Sequence, residues 1–201
     1  MKSQKLILYS VLSFVLLAAV FTSTGSEAAA PGDWAPLPQT EAAFDKVMAV
    51  VTHKRCMNCH PSDDYPRQGE DSHIHRFGVQ RGPDNHGVAA LQCSSCHQEA
   101  NNLMSGVPGA PHWGLAPKSM GWAGLSKNEI AAAMLDRTKN GGRSLADIEH
   151  HLTEDPLVLW VFEPGVNNEG TEREKPPISQ QEWVTAVKTW IAAGAPIPTN
   201  E

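Results

Sequence analysis

The sequence predicts a mainly α-helical fold in which a few helices are joined by long loops rich in proline and glycine. Apolar residues recur at helical spacing in several segments, and two of these segments begin with a capping box. Proline and glycine supply 15 and 16 of the 201 residues, many of them between these segments. No stretch alternates between polar and apolar residues clearly enough to predict a strand.

The first predicted helix begins at Thr40, whose hydroxyl can cap it, and ends just before Cys56. Its buried face is predicted from four apolar residues at helical spacing: Phe44, Val47, Met48 and Val51. A helix of this kind needs a partner to cover that face.

A capping box at 126–129 starts the second predicted helix, and 140–142 (Asn-Gly-Gly) is predicted to break it. Its predicted buried stripe consists of Ile130, Ala133 and Met134. Ser144 is predicted to start a third helix that continues to about Leu152.

A second capping box, at 179–182, predicts the closing helix, which stops at Gly194 with Pro196 beyond it. The residues predicted to be buried on its apolar face are Trp183, Ala186, Val187, Trp190 and Ile191.

All four cysteines lie in two C-x-x-C-H motifs, 56–60 and 93–97. Two thiols at this spacing can each bond to one vinyl group of a porphyrin, and the adjoining imidazole can bind its iron. The pattern therefore predicts two covalently attached c-type haems. The attachment residues are Cys56, Cys59, Cys93 and Cys96, and the proximal iron ligands are His60 and His97.

Two other uses of the cysteines fit the motifs less well than haem attachment. A structural zinc site would not need a histidine directly after each cysteine pair. A disulfide within C-x-x-C would be strained and suited to redox exchange rather than to stabilising a fold.

The order of helix, haem motif, loops and closing amphipathic helix is that of a cytochrome c, whose first and last helices cross. We expect one domain, residues 29–201, with the second haem motif inserted in the loop region. The loops 61–92 and 98–125 flank the motifs and can wrap the two macrocycles, which would supply apolar surface to the core.

The N-terminus predicts a signal peptide over residues 1–28. Lys2 and Lys5 precede a mostly apolar run over 6–21, which is followed by small and polar residues. The run is shorter than the roughly 20 residues of a membrane-spanning helix, and an uncleaved anchor is the alternative. Because c-type haem is attached outside the cytoplasmic membrane in bacteria, the expected location is the periplasm.

The charge of the chain excludes some partners. After removal of residues 1–28, 14 basic and 21 acidic side chains remain. Such a surface does not suit nucleic acid or an anionic membrane. An acidic electron carrier would meet a partner with a basic patch, although the acidity also serves plain solubility.

The sixth ligand of each iron is left open by the motifs. Met120 lies in a loop 60 residues after His60, as the distal methionine of monohaem cytochromes does. Its alternative role is that of a gap-filling core residue. The full set of candidates is His53, His73, His75, His86, His112, His150, His151, Met104 and Met120.

Several of these histidines have alternative roles. His73 and His75 lie between the motifs and can reach either haem. His86, seven residues before Cys93, also fits an exposed turn. His112 could be a packing residue beside Trp113. His150 and His151 adjoin on a predicted helix, so at most one of the two faces a given haem.

The chain resembles the small dihaem cytochromes that are labelled as the cytochrome subunit of isoquinoline 1-oxidoreductase. The similar stretches run from the first motif to about residue 160. They include His73-x-His75, 81–84 (Arg-Gly-Pro-Asp), 108–113, 115–120, 140–145 and 155–158. The resemblance implies functional roles for His75, His112, Met120 and His151 rather than for His86 and His150.

The motifs and the resemblance together support two functions. The first is an electron carrier that accepts electrons from a periplasmic dehydrogenase, such as the molybdenum hydroxylase that the resemblance implies, and passes them to a cytochrome or an oxidase. The second is a dihaem enzyme with an open iron position, such as a cytochrome c peroxidase. The chain is short for two full cytochrome domains, which favours the carrier.

Overall fold

A computed structural model describes residues 38–199 of the chain. The predicted signal peptide, residues 1–28, lies outside the described residues. About 41% of the structure is helical, and its strands are few and short. The helices are α1 (Pro38–Val51), α2 (Lys54–Met57), α3 (Lys127–Leu135), α4 (Leu145–Glu154), α5 (Pro156–Leu159) and α6 (Gln180–Ala192).

Two small hairpins lie between the first motif and the second. The first pairs β1 (Arg67–Gln68) with β2 (His73–Ile74), and the second pairs β3 (Gly87–Val88) with β4 (Leu91–Gln92). Each strand has two residues, which is too short to leave an alternating pattern in the sequence. The sequence prediction of no strands was therefore wrong at these two places.

The predicted helix starts are confirmed at three of four positions. Ser126, Ser144 and Ser179 each accept a hydrogen bond from the backbone N–H three residues later, and each forms a complete capping box. The first helix instead begins at Pro38, and Thr40 is buried within it. Proline is favoured in the first turn of a helix because its missing N–H is not needed there.

The predicted end of α3 at 140–142 was wrong, because the helix stops at Leu135. Asp136 leaves the helical conformation, and its carboxylate accepts hydrogen bonds from the N–H and hydroxyl of Thr138. The Asn140 side chain then donates to the carbonyl of Met134 and satisfies one of the free carbonyls at the helix end.

The core lies between α1 and α6, with α4 packed on α6. Phe44 and Trp190 meet edge to face with ring centroids 6.2 Å apart. The apolar faces predicted for α1, α3 and α6 are all buried. Because α1 ends five residues before Cys56, this core fixes the position of the first motif.

Arg81 ties the loops together around that motif. Its buried guanidinium donates to the carbonyl oxygens of Pro61, Asp63 and Ala116. Five N–H donors in one plane allow a single arginine to satisfy several carbonyls. The segment after the first motif is thus fixed to the segment before Met120.

Candidate functional site

The first C-x-x-C-H motif follows α1 directly. Cys56 lies in α2, and Cys59 and His60 follow that helix. The Nδ1 atom of His60 lies 2.8 Å from the carbonyl oxygen of Met120 and donates to it. The imidazole is stacked on the indole of Trp122, with centroids 3.4 Å apart and planes at 13°.

The second motif is built in the same way. Cys93 opens a short 3₁₀ turn directly after β4. The Nδ1 atom of His97 donates to the carbonyl oxygen of Pro108 at 2.7 Å. The ring is stacked on Trp113, with centroids 4.5 Å apart and planes at 6°. Both motif histidines are therefore held by one carbonyl and one indole.

A glycine follows each of the two residues whose carbonyls accept these hydrogen bonds. A Cβ on Gly121, after Met120, would lie 2.7 Å from the Cα of Ser62. A Cβ on Gly109, after Pro108, would lie 2.3 Å from the carbonyl oxygen of Ala100. Both glycines let the backbone approach the residues just after a C-x-x-C-H motif, which brings the acceptor carbonyl to the histidine.

The fixed Nδ1 atoms prepare both histidines to bind a metal. When Nδ1 carries the proton and donates it to a carbonyl, Nε2 keeps its lone pair. Burial lowers the pKa of His60 to about 4, with the hydrogen bond to Met120 opposing that shift. Burial also lowers the pKa of His97. Both rings are therefore neutral at pH 7, which is the form that binds iron.

The four cysteines are free thiols in this structure. Burial raises the pKa of Cys56 to about 12 and that of Cys59 to about 11. Cys93 lies close enough to Cys59 to contribute to the raised pKa of Cys59, so the two motifs are neighbours in the fold. Burial also raises the pKa of Cys93. Thiols of this kind lack the lowered pKa of redox-active or catalytic cysteines.

A largely apolar cavity of about 240 Å³ adjoins the first motif. Its walls carry the motif residues Cys56, Cys59 and His60. Four of the candidate distal ligands also line it: His86, His112, Met120 and His151. The structure thus brings together in one cavity residues that are up to 95 positions apart in sequence.

A more polar cavity of about 360 Å³ adjoins the second motif. It is lined by His97 and Trp113, and by residues directly around the motif. His86 and His112 line this cavity as well as the first one, so both histidines lie between the two motifs. His112 takes a left-handed backbone conformation with φ of +58°, which few residues other than glycine adopt.

His75 faces the histidine of the second motif. The ring centroids of His75 and His97 are 6.1 Å apart, with planes at 70°. Two imidazoles bound to one metal through nitrogen at about 2.0–2.1 Å place their centroids roughly 6 Å apart. The Nδ1 atom of His75 donates to the carbonyl of Arg76, which leaves its Nε2 free as well. The pair has the spacing of two ligands of one metal.

His151 lies near the histidine of the first motif. It projects from α4 into the first cavity, and its charge would contribute to the lowered pKa of His60. Its Nδ1 atom lies 3.0 Å from Oδ2 of Asp155, which leaves Nε2 available. The adjacent His150 is exposed and pairs with Glu154, so only one of the two neighbours faces the cavity.

Met120 contacts the first motif through its main-chain carbonyl, whereas the sequence predicts that its side chain is an iron ligand. That carbonyl accepts from Nδ1 of His60, so an iron bound at Nε2 would lie on the side of the ring away from it. The side chains of Met120 and His151 both line the first cavity, and ligation of an iron by either of them stays a prediction.

The remaining candidates have other partners. His73 lies 2.6 Å from Asp71 through Nδ1, and its Nε2 atom is buried without a partner. His86 donates from Nδ1 to the carbonyl of Trp113 at 3.1 Å. His53 caps α2 and contacts Glu174, while Met104 is 96% exposed. Neither of these last two lines a cavity described above.

Sequence reasoning missed the residues that hold the motif histidines. The acceptors in Met120 and Pro108 are main-chain carbonyls, which leave no side-chain signature. The stacked residues Trp122 and Trp113, and the carboxylate of Asp155, were not predicted to have these roles. The available signal was a glycine directly after each acceptor residue, with a tryptophan two to five positions after that residue.

Comparison of the chain with models of known families, with curated proteins and with solved structures gave no match. Within residues 38–199, no group of three or more His, Cys, Asp or Glu side chains is arranged to hold a metal ion. None of the helices in this part of the chain combines the length and apolar character that crossing a bilayer requires.

Proposed function

We propose that the protein is a c-type cytochrome with two covalently attached haems that carries electrons between a dehydrogenase and the respiratory chain. The observation that carries this proposal is the repeated arrangement of the two C-x-x-C-H motifs. In each, the histidine donates Nδ1 to a carbonyl, stacks on a tryptophan and keeps Nε2 free. A disulfide pair would not need this arrangement, and a structural zinc site would not need a histidine directly after each cysteine pair.

The first cavity suits a large, flat, apolar group that carries carboxylates. Apolar side chains from α1, α4 and α5 line part of it. The indole Nε1 of Trp122 is buried there without a hydrogen-bond partner, and Arg55 and Arg143 also reach the cavity. A carboxylate such as a haem propionate would satisfy the indole N–H and would be attracted by the two guanidinium charges.

We assign His60 and His151 to the first iron, and His97 and His75 to the second. The support is the shared cavity for the first pair and the centroid distance of 6.1 Å for the second. Haem iron supplies one-electron oxidation and reduction when bound. Two filled coordination shells leave no position for a small substrate, so this assignment favours a carrier over a peroxidase.

The chain's own contribution is to keep the two sites close and to set their properties. Cys59 of the first motif and Cys93 of the second lie near each other, and His86 and His112 line both cavities. The first site is enclosed by the helical core, and the second by loops and hairpins. Unequal enclosure of this kind gives two haems different potentials.

The proposed partners follow from charge and from the family resemblance. The chain has a net charge of −6. We propose a donor dehydrogenase of the molybdenum hydroxylase type and a cytochrome or oxidase as acceptor, each with a basic docking patch. The location that fits this function is the periplasm, after export through the N-terminal segment.

The test is to express the full chain with the bacterial haem-attachment machinery and to measure its haem content and its absorption spectrum. We expect two haems per chain, both low-spin and both unaffected by carbon monoxide. Replacing Cys56 and Cys59 by alanine should leave one haem, and replacing Cys93 and Cys96 should leave the other.

The same measurement separates the alternatives. A haem that binds carbon monoxide would mean an open iron position and would favour a dihaem enzyme, with peroxide turnover as the next assay. A chain that is exported and folded but contains no covalent haem would overturn the proposed function altogether.

A further inference from the structure

The histidine proposed as the distal ligand of the first iron differs from the other three proposed ligands, because its Nδ1 atom contacts a carboxylate. His60, His97 and His75 donate to backbone carbonyls, whereas His151 lies 3.0 Å from Oδ2 of Asp155. This inference rests on the proposed function. The property concerned is the reduction potential of the first haem.

Both oxygens of Asp155 are used in the structure. Oδ2 accepts from His151, and Oδ1 accepts from the backbone N–H of Leu157 at 2.9 Å. Asp155 is the C-cap residue of α4 and the N-cap residue of α5, so its backbone is fixed by both helices. A carboxylate held in this way cannot rotate away from the imidazole without freeing the first turn of α5.

We propose that Asp155 is a positioning residue that orients His151 toward the first haem and lowers the reduction potential of that haem. A carboxylate on Nδ1 fixes the ring with Nε2 facing the cavity and makes the imidazole a stronger electron donor. A stronger donor stabilises ferric iron relative to ferrous iron. The other three ligands, which contact neutral carbonyls, lack this effect.

The chain contains a matched control on the same helix. His150 and Glu154 form a second histidine–carboxylate pair at the same spacing, with Nδ1 and Oε2 3.2 Å apart. Both of these side chains are exposed, at 71% and 62%, and neither lines the cavity. Removing this carboxylate perturbs α4 to a similar degree without touching the proposed ligand.

The experiment is a redox titration of the holoprotein, comparing the parent with D155N and E154Q. Asparagine caps a helix as well as aspartate does, so α5 should persist in D155N. We expect D155N to raise the midpoint of one of the two haem transitions and leave the other unchanged. E154Q should leave both unchanged.

A second variant covers the possibility that D155N folds poorly. D155S keeps a capping hydroxyl but is too short to reach His151, and it should shift the same midpoint in the same direction. Two haems per chain with both midpoints unchanged in D155N and D155S would overturn the proposal. A shift of the same size in E154Q would overturn it as well. Absence of covalent haem in the parent would instead refute the proposed function, and the role of Asp155 with it.

Discussion

The imidazoles of His75 and His97 meet edge to face, with ring centroids 6.1 Å apart and planes at 70°, although the residues belong to different loops. If both bind one iron, H75A should leave that iron five-coordinate. We expect one haem of H75A to become high-spin and to bind carbon monoxide, because alanine supplies no ligand atom. Absorption spectra of the reduced protein with and without carbon monoxide measure this.

The control for that variant is H73A, in the same hairpin. His73 contacts Asp71 and is not stacked or paired with a motif histidine. Its spectrum should match that of the parent. If H73A gained a carbon monoxide-binding haem and H75A did not, the iron ligand would be His73 and not His75.

Met120 contributes its carbonyl to His60, and this contribution does not depend on its side chain. We therefore expect M120L to keep both haems low-spin and to change neither reduction potential substantially. Leucine conserves most of the apolar volume, so the cost in stability should be below about 1.5 kcal/mol. A large fall in one potential would show that the thioether is a ligand, as the sequence predicts.

Gly121 and Gly109 should be intolerant of even a single added methyl group. The Cβ of G121A would meet the backbone of Ser62, and that of G109A the backbone of Ala100. Backbone atoms cannot move aside cheaply, so each variant should lose about 1–3 kcal/mol of stability. Denaturant unfolding of the holoprotein measures this loss.

The two glycine variants also control for each other. G121A should perturb the spectrum of the first haem and G109A that of the second. Each glycine change can also be introduced into the two cysteine-to-alanine chains that keep a single haem motif. The spectra of these chains would show which haem each glycine affects. Identical spectral changes in both variants would contradict the separate roles of the two glycines.

The capping box of α6 should make stability depend on acid pH. Glu182 has a pKa below its ordinary value because its carboxylate accepts from the N–H and hydroxyl of Ser179. A lowered folded pKa gives a contribution that is complete above the unfolded pKa, near 4.5, and is lost as pH falls through the folded pKa. E182Q should thus lose less stability than the parent between pH 6 and pH 3.

Denaturant unfolding at several pH values measures this difference. S179A removes the hydroxyl donor but keeps the backbone N–H donor, so it should flatten the same part of the pH profile only in part. The expectation would be wrong if the parent and E182Q declined in parallel over this range.

The helices could be predicted from the sequence where the deciding interactions are local. The capping serines at 126, 144 and 179 and the apolar faces of α1 and α6 depend on residues within a few positions of one another, and all are confirmed. The early end of α3 was missed because it depends on Asp136 bonding to Thr138 and on Asn140 reaching back to Met134. These two contacts compete with a helical pattern that otherwise continues.

The candidate site could be predicted only in part. The motifs name Cys56, Cys59 and His60 and their counterparts without any structure. The facing of His75 toward His97 and of His151 toward the first cavity depends on loops that fold back over tens of residues. Spacing along the chain cannot rank such candidates, because each of them can reach a motif in some conformation.

The pairing of α1 with α6 also sets an order of events in biosynthesis. A chain is made from its N-terminus, so α1 and both cysteine motifs exist well before the residues of α6 do. Until α6 arrives, the face of α1 that carries Phe44 has no partner, and the core beside Cys56 stays open. The late helix thus leaves Cys56, which packs against that core, accessible to modification until the fold is complete.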